Sequence, residues 1–150
     1  MPKHSRLLIV VADAEHARFI RAAGHGKVHA ETAFDSTALH KQSSDLGADR
    51  PGASVHTGST AHHGLAPRHD LKELETVKFA QFVALRINAA AAEDAFDALV
   101  LVAPPHTLEP LRAALDSSAD ARIIGTISKD LVKTPIGALW PHIEPLIIAS

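Results

Sequence analysis

The sequence predicts an α/β domain built on a five-stranded mixed sheet of order 3-2-1-4-5. Three observations lead there. Two continuous apolar runs, Leu7–Val11 and Ala98–Val102, read as strands buried on both faces and therefore central in a sheet. Two further short strand patterns directly follow the first run, separated from it only by turn-sized connections, which favours an antiparallel meander. After that, helical and strand patterns alternate, as a parallel sheet with crossover helices requires.

Taken in order, Asp13-Ala14-Glu15 ends the first strand, and Ala17–Arg21 reads as the second. Gly24-His25-Gly26 supplies a turn, since glycine takes positive φ at little cost. The third strand, about Val28 to Phe34, alternates Val28, Ala30, Thr32 and Phe34 on one face with His29, Glu31 and Asp35 on the other. From His40 to His69 apolar periodicity vanishes, and these 30 residues hold four of the eight glycines and five of the eleven histidines. A long exposed loop is expected there; loops beyond about 15 residues inside compact domains tend to be functional or disordered.

Asp70 with Glu73 three residues on has capping-box spacing, and a helix is expected from there to about Ala92. Leu74, Val77, Ala80, Ala84, Ile87 and Ala91 share its apolar face, with Glu75, Lys78, Arg86 and Glu93 opposite. Phe79 and Phe82 fall beside the charged stripe, so cover is expected from the loop, the C-terminal segment or a second subunit. Pro104-Pro105 closes the fourth strand, and a helix from about Thr107 carries Leu108, Leu111 and Leu115. Arg122–Ile127 is the fifth strand. Thr134-Pro135 has the chemistry of a helix start, with Pro141 and Pro145 making that last helix short or kinked.

This order of elements is that of an RNase H-like layer, with strands one, four and five parallel and their C-terminal ends side by side. The tips carry Asp13, Ala14 and Glu15; Pro104, Pro105 and His106; and Ser128, Lys129 and Asp130. Open α/β sheets bind ligands at such ends, so Asp13, His106, Lys129 and Asp130 form a candidate sheet-end cluster. The alternative for these residues is plain capping and turn chemistry, with Lys129 pairing Asp130 or Asp13.

Composition narrows the function. The chain has 150 residues, 46% of them hydrophobic, with 15 Lys+Arg against 17 Asp+Glu. That describes one domain, residues 1–150, without bulk attraction to nucleic acid or an anionic membrane. Without cysteine, disulfides and thiolate metal sites are excluded. No secretory signal and no apolar run near the roughly 20 residues of a membrane helix is evident, so a cytoplasmic protein with no membrane contact is expected.

Val11-Ala12-Asp13 with Ala17-Arg18-Phe19, then Asp49-Arg50-Pro51-Gly52, Phe79-Ala80, Phe96-Asp97 leading into Leu99–Pro105, and Lys129-Asp130-Leu131 resemble the bacterial host attachment protein family. The resemblance spans nearly the whole chain. That family looks in turn like a relative of the middle domain of archaeal and eukaryotic peptide release factors, which carry a Gly-Gly-Gln tip between the third strand and the first helix. The 40–69 segment occupies that position but lacks the tripeptide; the glutamines are Gln42 and Gln81. Release by that mechanism is therefore not expected.

Within the loop, Asp49, Arg50, Pro51 and Gly52 have turn composition, while Arg50 and Arg68 also suit phosphate. Asp49, Arg50, Gly52, Arg68 and His69 are accordingly the candidate binding residues, with RNA or the ribosome as partner. His56, His62, His63 and His69 show none of the usual ligand spacings, so no metal and no cofactor is expected. A nuclease-type carboxylate cluster lacks its acidic residue within the first strand, and no DNA sequence reader is evident. The expected function is a non-enzymatic adaptor with an indirect role in host attachment. Two alternatives stand beside it: a hydrolase of an RNA-linked ester using loop histidines as general bases, and an interaction module or homodimer formed through Phe79 and Phe82.

Overall fold

Strand β1 (Leu7–Ala12) is buried along its whole length. It pairs antiparallel with β2 (His16–Ala23) and parallel with β4 (Ala98–Val102), which places it at the centre of the sheet. A computed structural model describes residues 6–23, 27–41 and 68–149. With β3 (Lys27–Asp35) on one edge and β5 (Ile123–Ile127) on the other, the order is β3-β2-β1-β4-β5, as expected. The Gly24–Gly26 turn and most of the expected loop, residues 42–67, lie outside the described residues.

The β1–β2 turn is built by Asp13. Its Oδ1 accepts the amides of Glu15 at 2.8 Å and His16 at 2.6 Å, while the Asp13 amide bonds the His16 carbonyl at 2.9 Å. An aspartate that mimics backbone in this way closes a turn without glycine.

Strand β3 departs from strict alternation. Thr32 pairs with Phe19 but Ala30 pairs with Ile20, leaving Glu31 as an extra residue. This bulge reverses the facing of the residues before it. Val28 packs with Ile20 and Ala22 in one core cluster, whereas Phe34 joins Ala17 and Phe19 in the other. The four residues expected on one face are thus divided between two. Residues 36–41 are helical, so His40 and Lys41 do not belong to the expected loop.

The long helix α1 (Arg68–Ala92) begins two residues before the expected Asp70, which sits inside its first turn rather than capping it. Its buried face carries Phe79, Ala80, Val83, Ala84, Ile87 and Ala91, while Leu74 is 49% exposed. Phe79 is only 1% exposed and Phe82 is partly buried. Both meet Phe34 of β3, with ring centroids 6.0 and 5.6 Å away, and Arg86 lies 4.8 Å over the Phe34 ring. The cover expected from a loop, a terminus or another subunit is therefore supplied by the sheet edge. An edge strand that is mostly exposed still delivers one aromatic side chain to the core.

Helix α2 (Pro105–Ala113) begins two residues before the expected Thr107, since proline's fixed φ and missing amide suit a first turn. A short helix not anticipated from sequence, α3 (Ser117–Asp120), is capped by Asp116, whose side chain accepts the Ala119 amide. The last helix, α4 (Ile136–Ala149), runs 14 residues through Pro141 and Pro145 rather than stopping short. Both prolines are exposed, where water can satisfy the carbonyls they leave without a donor.

Alternate residues of β1 feed two cores. Leu8 and Val10 pack under α1, α2 and α3; Leu7, Ile9 and Val11 pack under α4. The α4 side is close enough that a Cβ on Gly125 would lie 2.8 Å from a Leu146 methyl, so β5 needs glycine there unless Leu146 shifts. Each buried aliphatic side chain contributes about 1.5–3 kcal/mol, and the two layers together lock the sheet in register. No helix of the described residues is long and apolar enough to cross a membrane.

Candidate functional site

The C-terminal ends of β1 and β4 open into a cavity of about 830 Å³. Asp13 enters from the β1 turn, Pro104 from the end of β4, and Asp130 from the segment after β5. Helix α2 contributes His106, Thr107 and Glu109; the start of α1 contributes Lys72, Glu73 and Thr76. Three of the four expected sheet-end residues, Asp13, His106 and Asp130, are therefore brought together. Lys129 is exposed, does not line this cavity, and forms no ion pair among the described residues, so its expected pairing with Asp130 or Asp13 is not made.

Charge at the cavity is uneven. Asp13, Glu73, Glu109 and Asp130 contribute carboxylates, against the ammonium of Lys72 and the imidazole of His106. Asp13 is already engaged, because its Oδ1 holds the turn and also contacts His16 Nδ1 at 3.3 Å. Thr107 is the one buried polar residue of the described core, 2% exposed. Its amide bonds the Pro104 carbonyl at 2.9 Å, but its hydroxyl has no partner among the described residues. A buried hydroxyl left without a partner is unfavourable by about 1–3 kcal/mol, and such groups call for a functional or solvent explanation.

Sequence reasoning found the strand-end residues because strand ends can be read from chain order. Lys72, Glu73, Thr107 and Glu109 were missed as cavity residues. Glu73 was visible only as a capping residue and Thr107 only as a helix start; nothing local in either helix says that their first turns converge.

Asp49, Arg50 and Gly52 lie outside the described residues. Arg68 and His69 belong to the first turn of α1 and not to a loop, and their side chains are likewise outside the described set. Among the described residues no group of three or more histidine and acidic side chains is placed to hold a metal ion. His56, His62 and His63 are not described.

The model of a family described as protein required for attachment to host cells matches residues 8–143 of this chain. That span takes in all five strands but for Leu7 and reaches into the last helix. A comparison with curated proteins yields no match.

Proposed function

Because the chain belongs to the family of proteins required for attachment to host cells, we propose that it is a non-enzymatic adaptor whose sheet-end cavity holds a cationic side chain of a partner protein. The observation that carries this reading is that Asp13, Glu73, Glu109 and Asp130 line one cavity, which the buried Thr107 also borders. Carboxylates in such number repel a phosphate and attract an ammonium or guanidinium, and the hydroxyl offers an acceptor to the same group. Asp13 serves the turn, which favours binding over proton transfer at that residue. The role in host attachment is then indirect, through the partner held.

The resemblance to release-factor middle domains, with their RNase H-like order of elements, favours RNA or the ribosome instead, contacted through residues 40–69. The acidic lining argues against phosphate in the sheet-end cavity, so an RNA contact would belong to Arg50 and its neighbours.

Titration of the isotope-labelled chain with n-butylammonium chloride, against sodium phosphate at matched ionic strength, tests the proposal. Saturable shifts of the Thr107, Glu109 and Asp130 amides are expected with the ammonium alone, weakened about tenfold in a Glu109→Gln/Asp130→Asn variant. Absence of those shifts, or their appearance with phosphate instead, would refute it. Salt-sensitive co-sedimentation with ribosomes that Arg50→Ala abolishes would assign the partner to RNA, and turnover of a peptidyl-tRNA would mark a hydrolase.

A further inference from the structure

A second cavity, of about 500 Å³, opens between the β2–β3 edge and the segment that follows β5. Its charge is opposite in character. Arg18 and His16 of β2 and Lys133 line it, together with apolar walls from Ala33, Ala38 and Val132.

Arg18 is held in place by one nitrogen. Its Nη1 donates to the carbonyls of Val132 at 3.0 Å and Thr134 at 2.6 Å, tying β2 to the segment before α4. Nε and Nη2 have no hydrogen bond among the described residues, and Arg18 has no carboxylate partner there. Arg21, three residues along the same strand, shows what a purely structural arginine looks like: its Nη1 likewise donates to a carbonyl, that of Ala95, but its Nε is neutralised by Glu31 at 3.1 Å. The edge left open on Arg18 is the two-nitrogen edge with which a guanidinium grips an oxyanion through paired hydrogen bonds.

The neighbouring groups agree. Lys133 is exposed and without an ion pair among the described residues. Asp13 contacts His16 at Nδ1, leaving Nε2 as the free nitrogen of that ring. The single carboxylate of the lining, Asp35, has its Oδ1 held by the amide and hydroxyl of Thr37.

The geometry points to an oxyanion site in this cavity: the open edge of Arg18 and the Lys133 ammonium bind a phosphate or carboxylate, His16 adds a third donor in its imidazolium form, since Nδ1–H already faces Asp13, and the apolar walls receive the body that carries the anion. This site shares no lining residue with the acidic cavity, which it meets at the His16–Asp13 contact, and does not depend on the reading given for it.

Phenyl phosphate and benzoate share a ring and differ in the anion, so titrating the full chain with each, followed by amide and Arg18 Nε–H shifts, both tests the site and distinguishes its source. Saturable shifts at Arg18, Ala33 and Lys133 are expected with at least one probe; tighter binding of the first assigns a phosphate ester, of the second a carboxylate. Lys133→Glu reverses an exposed charge without touching the core and is expected to weaken binding about tenfold or more. Arg18→Lys, which keeps the charge and removes the paired edge, is expected to weaken it comparably. No saturable shift with either probe, or an affinity unchanged in Lys133→Glu, overturns the assignment even if Arg18→Lys fails to fold.

Discussion

The two ends of the sheet treat their charges differently. At the end where β1 and β4 begin, the arginines are matched. Arg6 donates to Asp97 Oδ1 from Nη2 at 2.6 Å and from Nε at 3.1 Å, and hydrogen bonding to Asp97 pushes its guanidinium above the ordinary value. Arg122 donates to the Phe96 carbonyl at 2.6 Å and to Asp94 at 3.2 Å, with its guanidinium 5.5 Å over the Phe96 ring. Asp94 takes a left-handed φ of 54° where α1 ends, the Ala95 amide closing back on the Ala90 carbonyl at 2.9 Å, and its side chain meets both arginines from there. At the opposite end, Lys72, Glu73, Glu109, Asp130 and Lys133 have no ion pair among the described residues, and Thr107 is buried without a hydroxyl partner. One end uses its polar groups to hold strands and helices together. The other holds its turn with Asp13 and its β2 strand with Arg18 but leaves several charged groups unpaired at two cavities.

The sharpest way to break the comparison is Arg122→Ala. It leaves the Phe96 carbonyl without its donor, and a loss of about 2 kcal/mol in urea unfolding is expected. A loss near zero would mean that the matched end is decorative. Thr107→Val should act in the opposite direction: it keeps the shape and removes an unpartnered hydroxyl, for an expected gain of about 1 kcal/mol by the same measurement. Destabilisation there would show that the hydroxyl already has a partner.

The smallest effect is expected at Asp35, a carboxylate at the open end whose Oδ1 is engaged by Thr37. Hydrogen bonds from Thr37, led by its hydroxyl, hold the Asp35 carboxyl below its ordinary value. A lowered folded-state value means that this contact stabilises the fold above the unfolded carboxylate range and is lost as pH falls through the folded value. Thr37→Val keeps the amide donor and removes the hydroxyl, so the Asp35 pKa should rise toward normal in an NMR titration. An unchanged titration would show that the amide alone sets it.

Much of the architecture was legible in the chain because burial on both faces leaves a signature. Leu7–Val11 and Ala98–Val102 can only be inner strands, and turn-sized spacing then orders the first three. The bulge at Glu31 was not legible, since a one-residue register shift is decided by what the two faces of the sheet must each pack. Phe79 and Phe82 looked unpartnered because their partner, Phe34, comes from a strand more than forty residues earlier, on an edge that reads as solvent-facing. At the site, Asp13, His106 and Asp130 were predictable as strand-end residues, while Glu73, Glu109 and Thr107 became neighbours only through the packing of α1 on α2.

By itself, then, the sequence determined the strands, their order, and which strand-end residues, Asp13, His106 and Asp130, lie at one end of the sheet, because apolar periodicity and chain order carry that information locally. It also carried the family resemblance that the match over residues 8–143 bears out. Only the tertiary structure decided the sign of charge at each cavity and which arginine keeps an open edge. Arg18 and Arg21 sit three residues apart on one strand and look alike in sequence; whether a carboxylate neutralises either of them depends on what the next strand and the distant 132–134 segment bring across.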